Sequence, residues 1–225
     1  MSFEFDKPLL EETLKFVEHN PGRFKDIPVI MLVYNEIMLF NTGDKEYYRH
    51  IKQTVTDKNI MLDRSERYNG LVVISNFCIN SYHKGEKEIL SEFMEITEFM
   101  FDNKIDTMNV GDYMDINYFR TVIVMALVAK KYDWAGRFVK ECKGLLAPDA
   151  RENAYNFAMA RLNFSKKNYE AAFSFMSKVQ YDDIYYKFSG KIFQAQLYYV
   201  MNMDNELADH LDSFRKFLKN NKMLT

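Results

Sequence analysis

The sequence predicts an all-α protein in which helical hairpins repeat along the chain, an α-solenoid, and three observations lead to that class. A short phrase recurs in the C-terminal half: Lys131-Tyr132-Asp133-Trp134-Ala135, Asn168-Tyr169-Glu170-Ala171-Ala172 and Asn205-Glu206-Leu207-Ala208 each join two helix-like stretches. Their alanines at 135, 172 and 208 are 37 and 36 residues apart. A second phrase recurs in the N-terminal half, where Gly43-Asp44-Lys45-Glu46 and Gly85-Glu86-Lys87-Glu88 lie 42 residues apart. Each offers a glycine suited to a helix end and acids suited to the next N-terminus. Composition agrees: 8 Gly and 4 Pro in 225 residues are too few for the turns of a β-sandwich, and 48% apolar against 28% charged residues suffices for a packed core.

Taken in order, Leu10, Leu14 and Val17 form the stripe of an amphipathic capping helix over 7–19, which Asn20-Pro21-Gly22 ends. Pro28 suits a first helical turn, and Ile30, Val33, Ile37 and Phe40 continue that helix until Asn41-Thr42-Gly43. A second helix follows over 44–56. Residues 65–84 are read as helical, Gly85 interrupts, and 86–103 resumes with Ile89, Phe93, Ile96 and Met100 on one face. Residues 103–111 read as a loop, the best place for a hinge and taken as a bend. The third pair is 112–130 with 133–146, closed by Pro148; the fourth is 149–166 with 169–179; the fifth is 183–201 with 205–221. The expected organisation is one continuous domain over 1–225, with pairs at 28–57, 65–103, 112–147, 149–180 and 183–221. Each pair buries its apolar face by stacking on its neighbours.

Several function classes lose support at this stage. A formal charge of −2 gives no overall pull toward nucleic acid. Cys78 and Cys142 fall inside apolar helical runs, the setting of buried free thiols. Residues 1–10 lack a basic region followed by a long apolar stretch, so no secretory signal is expected, and the longest apolar run, 122–129, is too short to cross a bilayer. A cytoplasmic protein is the expectation.

Over 153–183 the chain resembles a tetratricopeptide repeat, whose pattern places a large apolar and a small residue on the first helix and A-x3-F on the second. Met159-Ala160 and Ala172-x3-Met176 carry the likeness, with Tyr169 opening the second helix and Asn163 standing where a tyrosine is expected. The unit at 116–148 keeps Tyr132, Ala135-x3-Val139 and Pro148 but has Val122-Ile123 at the small-residue position. In the last unit Ala208-x3-Asp212 and Leu207-x3-Leu211 compete for one register, and the two N-terminal pairs share the layout without the motif. The resemblance implies a right-handed α-α superhelix of about five hairpins with an N-terminal capping helix. It implies a scaffold that binds a protein or peptide in a concave groove, with no enzymatic activity and no cofactor. By position it assigns Asn117, Arg120, Phe157, Arg161, Phe164, Gln196 and Tyr199 to that groove. Phe157 and Arg161 replace residues needed to clamp a C-terminal carboxylate, so that specialised activity is not expected.

Ordinary amphipathicity accounts for most of the other constellations. His19, His50, His83 and His210 are scattered and form no metal-ligand pair. Glu88, Glu92, Glu95 and Glu98 align on one helical face, where a metal or acid/base site could stand, but a solvated face opposite the Ile89–Met100 stripe explains them more simply. Arg215, Lys216, Lys219 and Lys222 suit a helix C-terminus as well as an anionic partner. No phosphate-loop, dinucleotide, zinc-protease or nucleophile-elbow motif occurs. Tyr185, Tyr186, Phe188, Phe193, Tyr198 and Tyr199 crowd one segment more densely than a single buried stripe requires, which makes one or two of them, with Arg161, candidates for a groove. A peptide-sensing regulatory module is the second reading. A helical enzyme using Glu88, Glu92 and Glu95 around a metal is the third.

Overall fold

Regular hydrophobic spacing becomes helix throughout. The computed structural model describes residues 7–181 and 184–221, and among these there is no strand. The helices are α1 (Lys7–His19), α2 (Pro21–Phe24), α3 (Pro28–Thr42), α4 (Lys45–Thr56), α5 (Arg64–His83), α6 (Ile89–Asp102), α7 (Ile116–Val128), α8 (Tyr132–Cys142), α9 (Pro148–Ser165), α10 (Tyr169–Met176), α11 (Lys191–Val200) and α12 (Asp204–Asn220). The predicted start of the fifth pair at Asp183, and Lys222 of the basic set, lie outside the described residues.

Local chemistry sets most boundaries. Pro28 takes the first turn of α3, and Gly43, at φ 70°, ends it with its N–H on the Leu39 carbonyl. Asp44 then caps α4 by accepting from the Glu46 N–H. Asp63 and Glu66 form a reciprocal capping box at the start of α5. Four expectations need correction. The helix expected from Glu86 begins at Ile89, because Gly85, at φ 106°, is followed by a turn over 86–88. The helix expected from Asp112 begins at Ile116, capped by Asp115, while the Asp112 carboxylate is taken up by Asn109. Pro148 opens α9 rather than closing the preceding pair, since its missing N–H is harmless at a first helical position. Asn20-Pro21-Gly22 does not simply end α1, because Pro21 starts the short α2.

The recurring phrase has a common geometry. Lys130, Lys167 and Asn202 all adopt the left-handed conformation, at φ 58°, 62° and 56°. In each case the N–H of the following residue reaches back five positions, Lys131 to Ala126, Asn168 to Asn163 and Met203 to Tyr198, at 2.9 Å. A second bond closes inside it, from Lys130 to Leu127, Lys167 to Phe164 and Asn202 to Tyr199. This paired closure caps the helix carbonyls. The residue after the left-handed one then starts the next helix, with Ala135, Ala172 and Leu207 donating the first bonds back to Lys131, Asn168 and Met203. Leu207, not Ala208, is therefore the equivalent of Ala172, and the second interval is 35 residues.

The chain divides into two compact units, 1–112 and 113–225. In the first, α3 packs on α4 and α5, α4 on α5, and α5 on α6. Its core contains Leu32, Ile51, Val55, Leu71, Ile74, Phe93 and Met100, and Cys78 is a buried free thiol within it. At the crossing of α5 with α4 and α3 sits Gly70, where a side-chain methyl would lie 2.5 Å from Val55 Cγ1. In the second unit α7 packs on α8 and α9, α8 on α9, α9 on α10, α10 on α11, and α11 on α12. Ala135, Ala160 and Ala172 are fully buried, which lets these helices approach closely. Phe138 stacks between Trp134 and Phe119 at 5.2 and 5.7 Å, and Cys142 is also a buried thiol outside any disulfide.

Candidate interaction site

Seven groove residues were expected from position, all in the second unit, and the structure brings three of them together. Arg120 of α7 and Phe157 and Arg161 of α9 line one small cavity with Phe119, Tyr185 and Tyr186. Its volume of about 10 Å³ holds roughly one water-sized group. The Arg120 guanidinium carbon lies 4.0 Å from the Tyr185 ring centre and 4.5 Å from that of Tyr186, within cation–π range of both. Arg161 lies 5.9 Å from the Phe157 ring and 5.8 Å from that of Phe193, and makes no hydrogen bond to any described residue.

Phe157 is a correction to the expected groove. It is 3% exposed and meets Tyr185, Tyr186 and Phe193 edge-on at 5.9, 5.5 and 5.9 Å, so it is a core post on which the arginines and tyrosines are arranged. Phe164, half-buried, also turns inward, 5.2 Å from Phe193 and 5.5 Å from Tyr169. Asn117, Gln196 and Tyr199 are exposed and lie outside this cluster, with Tyr199 at 71%.

The two tyrosines reach the same rings because the chain enters α11 through a π-helical turn over Tyr186–Gly190. Such a turn inserts extra backbone and alters the angle between neighbouring side chains. Gly190 lets Tyr181 lie against it, since a methyl there would be 2.7 Å from Tyr181 Cε1. Tyr181 donates to Gln194 Oε1 at 2.9 Å, and Gln194 Nε2 donates to the Tyr198 hydroxyl at 2.8 Å. Burial pushes the Tyr181 phenol up to about 12. Asn153 secures the approach to this turn with two bonds to the Gln180 backbone, at 2.8 and 2.7 Å. Sequence reasoning found the crowding of aromatics but missed Asn153 and Tyr181, which lie far apart in the chain and carry no periodic signal.

A second polar set lies in the first unit. Lys45, Tyr48, Arg49, Lys52, Ile89 and Glu92 line an open groove of about 510 Å³. The Lys52 ammonium bonds Glu92 and, at 2.7 Å, Glu95, and the Tyr48 hydroxyl donates to Glu92 at 3.0 Å. The hydrogen bond from Lys52 holds the Glu92 carboxyl below its usual range despite partial burial. Burial alone would lower Lys52, but its bonds to Glu92 and Glu95 outweigh this and raise it. Behind them the buried Cys78 thiol donates to the Tyr48 oxygen at 3.6 Å and is pushed up to about 11 by desolvation, which makes it a poor nucleophile. The row expected to be solvated is therefore partly engaged, because an ammonium from α4 occupies the space between Glu92 and Glu95. Among the described residues no three His, Cys, Asp or Glu side chains gather as metal ligands would.

Comparison with protein-family models, curated proteins and solved structures gives no match for this chain. No helix among the described residues is long and apolar enough to cross a membrane.

Proposed function

We propose that this chain is a non-enzymatic helical-repeat scaffold, a degenerate relative of the tetratricopeptide repeat, that binds a protein or peptide on the first helices of its hairpins. In this reading about five hairpins form a right-handed α-α superhelix with α1 as a cap, the protein works in the cytoplasm, and α7, α9 and α11 line a concave groove. The observation that carries it is the reuse of one connector: the left-handed residues 130, 167 and 202, with identical bonding, give three successive second helices the same start. Repetition of one hairpin generates an extended surface rather than a catalytic cleft. Arg161, held against two aromatic rings without a hydrogen-bonded partner among the described residues, and Tyr199, largely exposed, are the side chains best suited to meet a ligand on that surface.

The test is affinity capture from native lysate with wild-type protein and an Arg161→Ala/Tyr199→Ala variant whose circular dichroism matches wild type. A partner held by the wild type and lost by the folded variant supports the reading. A partner retained equally by both removes the proposed groove, and reproducible capture of nothing removes the scaffold.

A further inference from the structure

We propose that Asp106, with Arg64, forms a pH-responsive latch at the start of the segment that closes the first unit, seated while its carboxyl is protonated and released when it ionises. The segment after α6 begins with a left-handed Lys104, at φ 56°, and Ile105 donates back to Met100 at 2.8 Å. Three consecutive residues then turn inward: Ile105, Asp106 and Thr107 are 8%, 6% and 7% exposed, although two of them are polar. By Val110 the chain is 88% exposed, and Asp112 is the last residue of the unit. The buried triplet is thus the anchor of an otherwise exposed stretch.

Arg64, at the start of α5, holds the anchor from outside. Its Nη2 donates to the Lys104 carbonyl at 2.6 Å and to Thr107 Oγ1 at 3.4 Å. Its Nε, however, is buried without a hydrogen-bond acceptor, and Asp106 Oδ1 is buried without a donor. Arg64 is the charged group that acts on Asp106 from the packed elements, and the Asp106 N–H supplies a local bond; both favour the carboxylate, but desolvation outweighs them. The net effect is a carboxyl pushed up from 3.8 to about 6. Oδ1 has no donor to offset the loss of water, so burying this group costs far more when it carries a charge than when it is neutral.

The direction follows from linkage. The folded value lies above the value expected in an opened segment, so the opened form ionises first as pH rises, and opening becomes easier between about pH 4 and 6 and levels off above. With the two values above, the opening equilibrium grows about tenfold between pH 5 and pH 7.5.

Amide hydrogen exchange, corrected for intrinsic rates, tests this on the full chain at pH 5 and pH 7.5, for wild type and Asp106→Asn. The expected result is an approximately tenfold loss of protection at residues 105–107 in the wild type, no loss in Asp106→Asn, and unchanged protection in the middle of α5 in both. A wild type with no pH dependence at 105–107, a dependence that survives in Asp106→Asn, or a loss shared by α5 would each overturn the latch. If Asp106→Asn fails to fold, the wild-type comparison of 105–107 with α5 still decides, because a latch requires the loss to be confined to the segment.

Discussion

Adding one methyl group at Gly70 should destabilise the first unit even though alanine is the better helix former. Gly70 is buried inside α5, where replacing glycine by alanine normally gains about 1 kcal/mol. Here the new carbon would stand 2.5 Å from Val55 Cγ1, 3.2 Å from Leu32 Cδ1 and 3.3 Å from Glu36 Oε1. Val55 is fully buried and β-branched, with one strongly preferred rotamer in a helix, and Leu32 is 2% exposed, so neither retreats cheaply. Over-packing of this kind costs roughly 1–3 kcal/mol, which leaves Gly70→Ala less stable by about 1–2 kcal/mol after the helix gain. The assay is urea unfolding followed by circular dichroism, with the slope compared to ensure that the unfolded state has not changed. Val55→Ala alone should cost roughly 2 kcal/mol through lost burial and a residual cavity. In the double variant the space left by Val55 accommodates the new methyl, so the combined loss should fall short of the sum by about 1 kcal/mol or more. A Gly70→Ala protein as stable as wild type, or strict additivity with Val55→Ala, would refute the close crossing of α5 over α4.

Two other substitutions probe the connectors and the ionic seam. Lys130→Gly and Lys167→Gly should each stabilise the second unit by about 0.5–1 kcal/mol, because a left-handed residue with a side chain costs more than glycine, and the two gains should add in thermal or urea unfolding. Destabilisation by either would mean that the connector is not held left-handed in solution. Lys52→Met should cost no more than roughly 1 kcal/mol at neutral pH, since Glu95 and part of Glu92 are solvent-screened. Glu92 is held below its ordinary value of 4.5, so the stability it contributes is present above that value and lost as pH falls through the lowered one. The gap between wild type and Lys52→Met should therefore narrow from pH 7 to pH 3.5, and a gap that widens in acid would contradict the assigned pairing.

The sequence by itself determined the helices, most of their ends and the recurrence of their connectors, because these depend on neighbours a few residues away. The Leu10-Leu14-Val17 stripe, Pro28, Gly43 and the alanines at 135 and 172 all act locally, and each stands in the structure where local chemistry requires it. Lys130, Lys167 and Asn202 were silent, since left-handed connectors usually announce themselves by glycine and here the paired backbone bonds compensate for its absence. Tertiary structure alone decided which faces of those helices meet. It turned Phe157 into the core, seated Tyr185 and Tyr186 over Arg120 through a π-helical turn, and set Leu207 in the place that Ala208 seemed to fill. It also brought Lys52 to Glu92 and Glu95 across about 40 residues of chain and buried Asp106 in a polar loop. Periodicity fixes the angle of a side chain about its own helix axis, but burial and pairing depend on what the neighbouring helix presents at that height, and that is set only when the hairpins pack.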